Sequence, residues 1–163
     1  MSTSIIDGTV EHAVPGRSSR GGVTVFKSIR FQLDDGSSHT VVKSVVQRDV
    51  AAEFTPGSKA RFYLFKAFDI SGVHGVRTPD GRAIYAFPGN NQRIFLMAGI
   101  ANLAWIAVRL ATDGGIPILA LALLILSVVG WTLMSKGRTE AKAQFDGDAG
   151  YSGTPAQAQT SPL

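Results

Sequence analysis

The reading turns on residues 94–134, IFLMAGIANLAWIAVRLATDGGIPILALALLILSVVGWTLM. Ile94–Val108 is apolar except for Asn102, and the run continues past Arg109 to Leu110 and Ala111. At about 1.5 Å per residue a helix over 94–111 reaches roughly 27 Å, close to the ~30 Å hydrocarbon core of a bilayer. Ile116–Met134 carries no charge at all. Thr112-Asp113-Gly114-Gly115 between the runs is a short turn, and Pro117 falls in the first helical turn, where its missing N–H costs little. The pattern predicts a transmembrane hairpin over 93–135, with helices at about 94–111 and 116–134. A soluble core around two such helices would need far more surrounding chain than 163 residues supply.

Basic residues set the expected orientation. Arg77, Arg82 and Arg93 precede the first helix, and Lys136, Arg138 and Lys142 follow the second, whereas the connecting region offers only Arg109. Both termini are therefore expected on the cytoplasmic side of a bacterial-type inner membrane. The opening stretch MSTSIIDGTVEHAVPG shows neither the basic nor the apolar region of a signal peptide. Residues 1–93 hold twelve Lys or Arg against eight Asp or Glu, a balance that favours an anionic leaflet. Arg77, Arg82, Arg93, Lys136 and Arg138 are the candidate headgroup contacts, with Arg17 and Arg20 as further basic residues.

No Asp, Glu, Lys or His lies within either apolar run, so an ion or proton pathway is not indicated. Ala98, Ala101, Ala104 and Ala107 recur at three-residue spacing, and Ser127 and Gly130 offer a small-residue face on the second helix. Small faces permit close helix packing and Asn102 is placed to bridge helices. Two uses follow: packing within the hairpin, or association with another copy or a larger partner.

Outward of the hairpin, residues 1–92 punctuate like a small all-β domain. Val23–Leu33 (VTVFKSIRFQL) runs into Asp35-Gly36, a hairpin turn signal. A two-residue turn there pairs Asp34 with Ser37, setting Phe31 opposite Thr40 and Ile29 opposite Val42. Phe26, Val41 and Val45 then collect on the opposite face, the candidate partner-contact patch. Lys27, opposite Ser44, interrupts the better face and points to a bulge or a barrel end there. Ala60–Asp69 carries apolar residues on both parities, as a central strand or a barrel strand under a second layer does. Ile5–Val14, Val73–Arg77 and Arg82–Phe87 complete six short strands, Val50–Phe54 reads as a short helix or loop, and Thr78-Pro79-Asp80-Gly81 is a second turn. The expected fold is a small OB- or SH3-like β-barrel, which closure protects at its edges, with a hinge at 87–91. Residues 136–143 extend the second helix by a turn or two, and the rest of the polar tail, 136–163, is expected to be largely disordered. This order of elements resembles small membrane proteins that join a compact barrel to a few helices, such as the NfeD-like group. There the helices precede the barrel, and no residue role carries over.

The chain contains no cysteine, which excludes disulfides, thiolate metal sites and thiol catalysis. His12, His39 and His74 lack mutual ligand spacing, and Asp49, Glu53 and Asp69 form no acid–base pair. Gly57-Ser58-Lys59 is not a phosphate-binding loop, because no upstream glycine accompanies it. The expectation is a non-enzymatic membrane protein without catalytic residues, metal or cofactor, whose partners are lipids and a protein or a second copy. Lys59, Arg61 and Lys66 interleave with Phe62, Tyr63 and Phe65, which keeps a single-stranded nucleic-acid binder as a weaker alternative. An accessory subunit of a transporter or channel is a third reading.

Overall fold

A computed structural model describes residues 1–19, 21–67, 70–88 and 91–151. Arg20, Phe68, Asp69, the Gly89-Asn90 part of the expected hinge and the tail from 152 lie outside the described residues.

Six strands form the amino-terminal part: β1 (Ser2–Ser18), β2 (Val23–Leu33), β3 (Ser38–Gln47), β4 (Lys59–Ala67), β5 (Ile70–Arg77) and β6 (Ala83–Tyr85). The long β1 pairs with β4 through its first half and with β2 through its second. A parallel β3–β5 pairing, Ser44–Val46 against Ser71–Val73, closes the sheet. The barrel order is thus β1-β2-β3-β5-β4 and back to β1, with the short helix α1 (Arg48–Ala51) between β3 and β4. That Greek-key closure of five strands is OB-like. The inward residues include Val10, Ile29, Phe31, Phe62, Val73 and Val76. Val50 of α1 and the following Phe54 plug the barrel, with the Phe54 ring 5.4 Å from Phe26 and 5.7 Å from Phe62.

Both turn signals operate with one more residue than a two-residue hairpin uses. Leu33 N–H donates to Ser37 O at 2.8 Å, and Gly36 N–H to Leu33 O at 3.0 Å. Thr78, Gly81 and Arg82 repeat the same pair of bonds. Gly36 and Gly81 sit at φ +82° and +88°, the left-handed position that ends a three-residue turn. Asp35 accepts from the Ser37 hydroxyl at 2.6 Å and from Ser37 N–H at 2.8 Å, and the two bonds, the hydroxyl first, lower the carboxyl pKa. The register therefore differs by one from the two-residue expectation: Phe31 faces His39 and Ile29 faces Val41.

A second irregularity relocates the expected contact patch. Phe26, Ile29 and Phe31 are all buried on β2, and Val41, Ser44 and Val46 on β3. Parity flips on both strands at Lys27 and Lys43, where the ladder skips a pair and Lys43 adopts φ +51°. Phe26 and Val41 consequently belong to the core, and Val45 is half-buried beside the closure pair Gly72. They do not form one exposed surface.

The closure depends on a residue without a side chain. A Cβ on Gly72 would stand 2.2 Å from Val45 O and 2.6 Å from the Phe65 ring. Gly72→Ala is expected to force β3 from β5 and cost about 2–3 kcal/mol. Denaturant unfolding of the detergent-solubilised chain measures this; an unchanged midpoint would mean the closure is not tight.

The second compact unit comprises α2 (Asn91–Asp113) and the part of α3 (Ile118–Gly147) that ends at Glu140. Both helices are long and apolar enough to cross a membrane. Their seam has small residues at its closest points. Gly130 lies under the Phe95 ring, where a Cβ would be 2.6 Å from a ring carbon, and Gly99 faces Ser127. Gln92 Nε2 donates to Ser135 Oγ at 2.8 Å, and Ile106 and Ala120 are buried. Gln92, Phe95, Gly99 and Ile106 follow the three-four spacing of closely aligned helices. Asn102 donates to Ala98 O of its own helix at 2.8 Å rather than to the other helix, and Ser127 Oγ likewise donates to Leu123 O. Of the alanine stripe, Ala98 is half-buried, while Ala101, Ala104 and Ala107 face outward.

Candidate functional site

The barrel unit also takes in the chain from Ala141 onward, and this is where the described structure concentrates unusual side chains. β4 alternates in the ordinary way, so Phe62 and Leu64 enter the core while Tyr63 and Phe65 face out. On β5 the register shifts between Tyr63↔Gly75 and Leu64↔Val73, which leaves His74 as the extra residue of a bulge. A bulge re-aims a side chain, and here it turns His74 away from the core that holds Val73 and Val76. Four rings surround the imidazole: Tyr85 at 5.8 Å, Phe87 at 6.0 Å, Phe65 at 6.1 Å and Tyr63 at 6.2 Å.

The last turns of α3 cover this aromatic face. Ala141 is fully buried and Phe145 is 5% exposed. The Phe145 ring lies on the backbone of Gly75, where a Cβ would come within 2.6 Å, and its centroid is 4.9 Å from Tyr63 and 5.3 Å from Tyr85. Arg77 stacks over the Phe145 ring at 4.3 Å and donates from Nη2 to Phe145 O at 2.9 Å. That bond shares a carbonyl of the last helical turn with Asp148 N–H, which lies 3.4 Å from it.

An ion network fastens the rim. Arg61 donates from Nε and Nη2 to the two carboxylate oxygens of Asp7, at 2.6 and 2.7 Å, and from Nη1 to Asp148 at 2.8 Å. Tyr63 Oη donates to the same Asp148 oxygen, and Arg61 also stacks on the Tyr151 ring at 4.2 Å. Burial opposes ionisation of Asp148, but the Tyr63 and Arg61 hydrogen bonds outweigh it and hold its carboxyl below the ordinary value. The bond to Asp7 raises the Arg61 pKa further. Burial, with the Asp148 carboxylate beside it, pushes the Tyr63 phenol well up.

His74 lies outside this network. Its ring is fully buried, and neither nitrogen has a hydrogen-bond partner among the described residues. Burial pushes its pKa down to about 4, against an opposing pull from the Ala141 backbone. Among the described residues no group of three His, Asp or Glu is placed to hold a metal ion. His12 and His39 are exposed on separate strands, and Glu11 pairs with Arg30 at 2.7 Å.

The proposed headgroup residues fall in different settings. Arg77 is engaged with Phe145. Arg82 is exposed and pairs with both Asp80 and Glu53 at 2.8 Å. Arg93, Lys136 and Arg138 are exposed on the helices. Phe145, Asp148 and Tyr151 are the residues that sequence reasoning placed in the polar tail. The signal available was slight: Ala141 and Phe145 share a helix face at four-residue spacing, in a segment that otherwise reads as Gly, Ala, Gln and Asp.

The fold and this site define a class: an OB-like barrel clasped by its own carboxy-terminal turns, on a chain with two membrane-length apolar helices. No protein family matches the chain, and no curated protein does.

Proposed function

We propose that the chain is a non-enzymatic, two-span integral membrane protein of a bacterial-type inner membrane, with the barrel and both termini cytoplasmic. Its barrel binds a partner or regulates a membrane complex, and residues 141–151 occupy the barrel's aromatic face in the clasped state. The observation that carries the reading is the exposure of the apolar helices. Only 6% of the apolar window of α2 and 11% of that of α3 is buried, whereas the core helix of a soluble protein hides most of its apolar surface. Lipid is the solvent that removes this exposure from water.

The single-stranded nucleic-acid alternative has less behind it. Phe62 is in the core, Tyr63 and Phe65 are covered, and Arg61 is committed to Asp7 and Asp148. Among the described residues the Phe and Tyr rings of the barrel are buried except for the part-exposed Tyr85 and Phe87, which leaves little ring face for a base to stack on. The accessory-subunit reading keeps one support, the outward small residues Ala101, Ala104 and Ala107, which leave room for a further helix.

Gentle-detergent purification from the native membrane, followed by mass spectrometry, tests the partner claim. A stoichiometric companion is expected. Ala101→Leu with Ala104→Leu should remove it if the companion packs on α2, with the barrel unaffected. Recovery of the chain alone would count against a stable complex.

A further inference from the structure

The irregularity at Lys27 and Lys43 builds something besides a change of face. Lys27 is skipped twice: β1 pairs Val14 with Ser28 and Pro15 with Phe26, and β3 pairs Val42 with Ser28 and Ser44 with Phe26. Its neighbour across β3, Lys43, holds φ +51°, a conformation costly for a residue that carries a Cβ. Such strain persists where the surrounding structure enforces it and gathers at functional positions. Gly16 lets the strands close in, since a Cβ there would meet Val25 O at 2.5 Å and the Lys27 side chain at 3.5 Å.

Beside these features lies an open surface cleft of about 460 Å³, lined by the apolar Pro15, Val25 and Phe26 and by Arg17, Lys27 and Lys43. Elsewhere on the barrel four cations are paired with carboxylates: Arg30 with Glu11, Lys59 with Asp34, Arg61 with Asp7, and Arg82 with Asp80. Arg17, Lys27 and Lys43 have no carboxylate partner among the described residues. Three like charges around one cleft repel each other unless an anion joins them.

We propose that Arg17, Lys27 and Lys43 form a binding site for a phosphate-bearing anion. Arginine and lysine donors recognise phosphate oxygens through charge-assisted hydrogen bonds, and the apolar lining receives the group esterified to the phosphate. Two sources share that chemistry, a free phosphate and the headgroup of an anionic phospholipid. The headgroup source rests on the membrane reading above, whereas the free-phosphate source does not.

The test is an amine-acylation footprint of the full chain in nanodiscs, read by mass spectrometry, with exposed Lys66 as internal reference. One arm adds inorganic phosphate to phosphatidylcholine discs, against sodium chloride of equal ionic strength. The other uses discs of phosphatidylcholine and phosphatidylglycerol in equal parts without added phosphate. Acylation of Lys27 and Lys43 is expected to slow roughly threefold or more relative to Lys66. Protection in the phosphate arm identifies a free-phosphate site, and protection in the lipid arm alone identifies a headgroup site. Lys43→Gly suits the backbone at +51° and should keep the fold while removing protection of Lys27. Equal rates at all three lysines in both arms, or protection of Lys27 that survives both Lys43→Gly and Arg17→Gln, would overturn the proposal. A chain that failed to enter discs would instead speak against the membrane reading, and the phosphate arm would then be run in detergent.

Discussion

Phe145→Ala is expected to release residues 141–151 from the barrel while leaving the barrel closed. A buried Phe truncated to Ala typically costs 3–5 kcal/mol. Here the loss falls on the docked segment, because Phe145 packs on Gly75, Tyr63, Tyr85 and Arg77 and is not part of the barrel's core cluster. The Asp148 and Tyr151 contacts with Arg61 then lack the ring that holds them in place. A local loss of about 3 kcal/mol corresponds to roughly a hundredfold increase in opening. Native-state hydrogen exchange of the amides of 141–147 measures it directly. Strand amides of β1 and β2 should keep their protection, since their pairing does not involve this segment. Unchanged exchange at 141–147 would show that the docking energy lies elsewhere.

Acidification should have a similar effect through His74. In the docked state the imidazole is fully buried and its pKa is depressed to about 4, whereas an exposed histidine titrates near 6.5. Between those values the released state binds a proton that the docked state refuses. Docking is therefore at full strength above about pH 6.5 and is lost progressively as the pH falls toward 4. The gap amounts to roughly 3 kcal/mol, the same order as the Phe145 contribution. Asp148 has a lowered pKa, so its carboxylate remains ionised through this window and weakens only below it. His74→Leu should abolish the pH dependence and strengthen docking at pH 5, since it replaces two unpartnered buried nitrogens with apolar atoms. Exchange of the 141–147 amides at pH 7 and pH 5 in both proteins separates the effect from general acid loosening. A pH response that persisted in the variant would assign it to other groups.

Much of the architecture was legible because it rests on patterns that short segments carry by themselves. Charge-free runs at 94–108 and 116–134, glycines after Asp35 and Asp80, and the two-sided apolar character of β4 each state their requirement locally. β4 is a barrel strand with a layer on its outer face, one of the two settings its two-sided pattern allowed, and the source of that layer was hidden. Docking of Phe145 needs the bulge at His74 and the bare backbone at Gly75, and both follow from how β5 aligns with β4 across the sheet. The alternation of Val23–Leu33 was misleading for a related reason. Asp35-Gly36 fits a two- or three-residue turn equally well by composition, and the choice moves every partner by one. The parity flip at Lys27 and Lys43 then places Phe26 and Val41 inside, against the period-two pattern. On α2, the alanine spacing was clear, yet Phe95 over Gly130 decides which face meets α3 and leaves Ala101, Ala104 and Ala107 outward.

The proposed topology, two membrane crossings with the barrel on the cytoplasmic side, is open to a direct test. Because the chain contains no cysteine, single-cysteine variants report on topology without a background. Ser37→Cys places the probe in the exposed β2–β3 turn, and Gly115→Cys in the connection between the helices. Labelling with a membrane-impermeant maleimide on right-side-out and inverted vesicles reads the side of each. The account predicts that Gly115→Cys reacts only in right-side-out vesicles and Ser37→Cys only in inverted ones. Reaction of both positions from the same face of an intact membrane would contradict it.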